Sequence, residues 1–248
     1  IQTTEDLDQE TRELPNSVEA EVVNKFGLTD TAQGQDELEI ITPGVDVSLT
    51  KTVRPDTTVR PGQFVGVELE AVASKTTTNT KLNTIVVQDM IGNGTEDPEF
   101  WNAFDIKAIA PTQVPAHTDL TVEAYADGQW QPLTTMSTGD TADIFAMSNQ
   151  AFASALAGKG DVTGIRFTFD STQPGGYEQK QTVRPALVFE ARGTLRAGKA
   201  PATGELTFKN AAISNVAGKS PNDKDLSDSD RDTGDATIEW TEGGPGEG

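Results

Sequence analysis

The chain has no cysteine, which excludes disulfides and thiolate metal sites. It has a single histidine, His117, which supports neither a histidine-rich metal site nor a Ser-His-Asp triad; following Pro115, it reads as a loop residue. No apolar run approaches the ~18 residues needed to span a bilayer, so membrane insertion is not expected. Aromatic residues are only 6% of the chain. Cationic residues are also scarce: 19 Lys and Arg stand against 39 Asp and Glu, a formal charge of −20. Such a surface repels phosphate backbones and anionic lipid, which excludes nucleic acid as a partner. It suits a soluble protein in a salty exterior and can attract Ca²⁺. Neither a signal peptide at Ile1 nor a sorting signal at the far end is visible, so the chain reads as a segment of something longer. Acids are everywhere and no pair is singled out, so a carboxylate-pair glycosidase has no anchor in the sequence and no enzyme is expected.

What is abundant is Thr, Val, Gly and Pro, a composition that favours short strands over helices. Alternating runs over 45–53, 63–73, 83–91, 120–125, 164–169, 186–195, 205–214 and 236–240 are separated by Gly, Pro, Asn and Asp. This spacing predicts an antiparallel β-sandwich. One helix is expected over 141–157, with Asp140 as its N-cap and Gly158 as its C-cap.

The opening and closing segments resemble each other. Leu14-Pro15-Asn16-Ser17-Val18 matches Phe208-Lys209-Asn210-Ala211-Ala212, and each is followed by an acidic stretch and a second apolar run. The expected division is therefore 1–44 as the end of a preceding repeat or a β-extension, 45–242 as one domain, and 243–248 as a linker. Asn16 is then the counterpart of Asn210 in the preceding repeat.

Period two locates the chemistry. Val45, Val47, Leu49, Lys51 and Val53 share one face; so do Ile85, Val87, Asp89 and Ile91, and so do Leu206, Phe208, Asn210 and Ala212. Each apolar face is broken by one polar residue: a Lys, an Asp and an Asn. A lone buried charge is costly, and three such breaks are explained together if the side chains meet. A Lys and an acid in a dry pocket can exchange a proton and leave a nucleophilic amine. Protonated Asp89 would then donate to the Asn210 carbonyl, and attack by Lys51 would release ammonia and leave an amide. The link would close a loop of about 160 positions, restricting the unfolded chain as a disulfide does. The separate alternatives are that Lys51 snorkels to an edge, Asp89 bonds the following turn, and Asn210 satisfies backbone groups. Asn215 or Asn83 could replace Asn210 as partner.

The stretches Val47-Ser48-Leu49-Thr50-Lys51-Thr52-Val53, Arg60-Pro61-Gly62-Gln63, Val86-Val87-Gln88-Asp89 and Phe208-Lys209-Asn210-Ala211-Ala212 carry a family likeness. The chain resembles the isopeptide-forming Cna-type and fimbrial Ig-like domains of Gram-positive, including actinobacterial, pilins and adhesins. The resemblance covers roughly Pro43 to Trp240. It implies an Ig-like all-β sandwich of Cna type with one short helix insertion. It also implies a Lys51–Asn210 cross-link assisted by Asp89, and a stalk role in a cell-wall-anchored extracellular protein. The implied partners are neighbouring repeats of the same chain; the competing function is an adhesive module recognising a host protein or glycan. The chain departs from the family by its long middle, including Phe100, Trp101 and Phe104, which read either as core residues or as an exposed ligand patch.

The segment 223–235 is dense in carboxylates. Asp228, Asp230 and Asp232 alternate as Ca²⁺ ligands do, but the spacing misses the EF-hand pattern, so a solvated acidic loop competes with a calcium site. No other cofactor is implied.

Overall fold

The structure, a computed structural model, describes residues 12–27, 29–40, 42–93, 99–196 and 203–241. The expected linker 243–248 lies outside the described residues. The chain is all-β apart from two short helices. Strands β1 (Arg12–Val23) and β2 (Thr29–Ile40) form a two-stranded sheet of their own. The rest is two antiparallel sheets packed face to face.

One sheet has the order β14-β13-β5-β10-β7-β8, built from β5 (Lys81–Met90), β7 (Thr118–Ala126), β8 (Gln129–Ser137), β10 (Val162–Ser171), β13 (Gly204–Lys219) and β14 (Asp225–Trp240). The other contains β3 (Val45–Arg54), β4 (Phe64–Lys75), β6 (Phe104–Val114), β9 (Asp143–Met147), β11 (Lys180–Val183) and β12 (Ala186–Ala191). Strand β3 pairs with β4 through ten residue pairs, from Val45↔Lys75 to Arg54↔Gly66. The core lies between the sheets. Ile85, Val87, Val122, Phe167 and Phe169 come from one side and Val67, Leu69, Leu187 and Phe189 from the other, all buried. Alternation of buried and exposed residues along β3 is the period-two pattern read from its sequence.

Several local expectations change. The segment 141–157 is not one helix. Its first half is β9, paired with β6, where Phe145 and Met147 turn inward and Ile144 faces out. That is a two-residue repeat, which a helix cannot satisfy. Helix α2 (Asn149–Leu156) starts later, capped by Ser148, whose hydroxyl accepts from the Ala151 N–H at 3.3 Å. Gly158 does end it, at φ 78°. A second helix, α1 (Phe100–Ala103), occupies the long middle. The acidic segment 223–235 is mostly not a loop. From Asp225 onward it is strand β14, in register with β13 from Lys219↔Asp225 to Gly204↔Trp240. No described helix is long and apolar enough to cross a membrane.

Candidate functional site

The inward face of β3 carries Lys51 against the other sheet, whose β5 and β13 carry Asp89 and Asn210. Asp89 stands opposite Ala212 on β13 and Ile165 on β10, near the middle of its sheet. Asn210 stands opposite Gly234 of β14. The absence of a side chain at 234 matters here: a Cβ there would lie 2.7 Å from Val53 Cγ2 and 3.6 Å from Lys51 Cγ. Gly234 is thus the notch beside which the lysine stem packs.

The three side chains meet on one oxygen. Lys51 Nζ donates to Asp89 Oδ2 at 2.6 Å, and Asn210 Nδ2 donates to the same oxygen at 3.0 Å. All three residues are buried. Burial pushes the Lys51 ammonium below its ordinary pKa, with Asp89, and less strongly Asp232, opposing the shift. A lowered pKa raises the share of neutral amine, the nucleophilic form. The snorkelling alternative for Lys51 does not occur, because its side chain has no exposed surface.

Asp89 was expected to donate to the Asn210 carbonyl. Instead it meets the amide nitrogen, and Asn210 Oδ1 is a buried oxygen without a hydrogen-bond partner, which no other buried side-chain atom among the described residues is. A half-turn of the amide about Cβ–Cγ exchanges these two atoms. The other candidate amides are less favourably placed: Asn215 is exposed and Asn83 is half-buried.

A fourth group escaped the sequence reading. Trp101, in α1, donates its indole N–H to Asp89 Oδ1 at 2.9 Å, and its ring packs edge-on against Phe189 at 5.1 Å between centroids. Phe100, Trp101 and Phe104 are all interior, so the expected alternative of an exposed aromatic ligand patch is corrected: these rings fill the core. The only sequence signal for Trp101 was chemical. A buried acid needs several donors, and an indole is a large apolar residue that carries one.

The calcium candidates have a different role. Asp228, Asp230 and Asp232 accept from the backbone N–H groups of Val47, Leu49 and Lys51 at 2.9, 2.7 and 2.7 Å. Their other oxygens, at Asp230 and Asp232, accept from the next residue of β14 at 2.8 Å. Strand β3 is an edge strand that uses its alternate amides to pair with β4. The carboxylates take the amides left over on its free edge. They are spread along a strand, each on its own amide, and among the described residues no group of three acids is placed to hold a metal ion. This seam joins the two sheets side by side and fixes the backbone of Lys51. His117 sits in the turn before β7 as expected, with Nε2 3.7 Å from Asp140.

Fold and site together define a class: an antiparallel β-sandwich whose sheets are bridged in the core by an amine, an acid and an amide. Among solved structures, the chain is similar to three surface proteins of Gram-positive bacteria. BcpA, the major pilin subunit of Bacillus cereus, is 8% identical with a TM-score of 0.35, over 89% of this chain and 47% of that one. SpaD, the major pilin of Corynebacterium diphtheriae, is 15% identical with a TM-score of 0.34, over 76% and 34%. The collagen-binding subdomain of the Enterococcus faecalis surface protein ACE is 11% identical with a TM-score of 0.29, over 77% and 96%. The chain spans half or less of the two pilin subunits. No family model and no curated protein matches it.

Proposed function

We propose that the chain is a structural stalk segment of a bacterial surface protein of pilin or adhesin type, whose sandwich is locked by a self-formed amide between Lys51 and Asn210. The observation that carries this reading is the convergence of Lys51 Nζ and Asn210 Nδ2 on Asp89 Oδ2 in a dry interior. An ordinary core does not hold an amine, an acid and an amide together without a return, since hydrophobic groups of similar volume are usually no less stable there.

The atoms balance without water or cofactor. The Lys51 ammonium passes a proton to Asp89, leaving an amine and a neutral acid. Nζ attacks Asn210 Cγ, and the carbonyl oxygen takes up negative charge. Asp89 gives its proton to the departing Nδ2 and recovers one from Nζ. The Nζ–Cγ bond forms, the Cγ–Nδ2 bond breaks, and ammonia leaves. Asp89 ends as the neutral acid it was at the attack. A single carboxyl oxygen within hydrogen-bond reach of both nitrogens suits this relay. The reaction occurs once per chain, so the protein is not an enzyme in the turnover sense. The intact mass of the folded protein is expected to fall short of the sequence mass by one ammonia, and Lys51→Ala is expected to restore it. A wild-type chain of full mass would remove the bond.

The β1–β2 hairpin fits the closing hairpin of a neighbouring repeat. Register places Val18, Ala20 and Val22 on one face of β1, as Ala212, Ser214 and Val216 share one face of β13. Val18 and Val22 are 66% and 68% exposed, an apolar face without cover. Deleting residues 1–42 should leave the melting temperature of the sandwich unchanged. A clear fall would make the hairpin an extension of this domain instead. In this reading the segment lies outside the cell, in a wall-anchored parent, with neighbouring repeats as its partners.

A further inference from the structure

We propose that Trp101 is a positioning residue for the cross-linking reaction: its indole N–H, held on Asp89 Oδ1, forces the acid proton onto Oδ2, the oxygen that faces both the amine and the amide. The inference rests on the reading above and goes beyond it. An indole nitrogen can only donate. The oxygen it binds must therefore accept, and in a neutral carboxylic acid the carbonyl oxygen is the stronger acceptor. With Trp101 Nε1 at 2.9 Å from Oδ1, the hydroxyl is assigned to Oδ2, where Lys51 Nζ and Asn210 Nδ2 lie at 2.6 and 3.0 Å. The same contact stops the carboxyl from turning about Cβ–Cγ, which would swing the proton away from the amine.

The indole is itself held from behind. Arg196 donates from Nε to the Trp101 carbonyl at 2.5 Å and from Nη2 to the carbonyls of Phe104 and Val162 at 3.4 and 3.0 Å. Its guanidinium is anchored by Asp105 at 2.7 Å and its side chain is 10% exposed. The short α1 turn is thereby stapled to β10, and the ring is closed in by Phe189. Such support is what a donor needs if it is to hold one orientation of a carboxyl through a proton relay.

Two replacements separate the donor from the bulk of the ring: Trp101→Phe, and the benzothiophene analogue of tryptophan introduced at position 101 by cell-free translation, in which sulfur replaces the N–H. Unlinked chains kept in denaturant are refolded into buffers from acid to alkaline pH, and intact mass follows the loss of one ammonia with time. Both variants are expected to react roughly two- to tenfold more slowly, the value of one hydrogen bond to a neutral group. The benzothiophene analogue keeps the bulk of the indole and lacks only the donor, so a ring that only packs would leave its rate at the wild-type value. An analogue that cross-links at the wild-type rate overturns the proposal. A wild-type chain that never loses ammonia overturns the cross-link itself, a result distinguished by the control.

Discussion

Replacing Lys51 by Met tests how much the proposed bond stabilises the fold. Met keeps most of the volume of the lysine stem and removes the amine. Two effects then act in the same direction. The unfolded chain regains the freedom lost by closing a loop of about 160 positions, worth about 5 kcal/mol on the chain-entropy model. Asp89 also loses the Lys51 nitrogen, 2.6 Å from Oδ2, as a hydrogen-bond partner, though it keeps Trp101 and Asn210 as donors. For a domain of this size each kcal/mol moves the melting temperature by roughly 2–4 °C, so the loop effect alone predicts a fall of about 10–20 °C. The assay is calorimetry on both proteins, paired with intact mass to establish that the wild type is linked. A fall of only a degree or two from a linked wild type would refute the loop-closure reasoning. A large fall from an unlinked wild type would assign the stability to the ion pair.

Gly234→Ala should place a methyl against Val53 Cγ2, destabilise the fold by about 1–3 kcal/mol and slow the loss of ammonia; normal melting and kinetics would mean that the notch has no role. Asp230→Ala strips the Leu49 N–H of its acceptor, so stability should fall by about 1–3 kcal/mol and hydrogen exchange at Leu49 should speed up. An unprotected Leu49 amide in the wild type would count against the seam. In Asn210→Ala, which cannot link, the depressed Lys51 pKa makes the unfolded chain bind more protons between that value and the ordinary 10.5. Its stability in urea should therefore rise as pH increases through that window and be lost as pH falls through the folded value. The slope should vanish when Lys51→Met is added; a slope of opposite sign would contradict the burial argument.

The inward faces of β3, β5 and the first half of β13 were legible because each is a two-residue alternation interrupted once, and the three interruptions are the residues that meet. Topology brought them together, and the sequence offered only chemical complementarity for that step. Strands β6 and β8 were missed because Pro111 and Pro132 stand inside them, where proline usually argues against a strand. The part of β14 ahead of the expected run 236–240 was hidden for a related reason. Aspartate is a poor strand former in isolation, and the amides that make it favourable at 228, 230 and 232 belong to a strand 181 positions away. The hydrogen bond of Trp101 was not legible, because its partner lies in another element and nothing in a short aromatic run announces one.

The carboxylate seam has one property that its regularity creates. Acids at every second position offer the same grip to amides at every second position, so a slide of β3 by two residues would leave most of those contacts intact. Leu49 or Val53 would then lie under Asp89, and neither can answer an acid. Lys51 therefore serves as an index mark on an otherwise repetitive scale, rejecting the neighbouring alignments before any covalent chemistry begins.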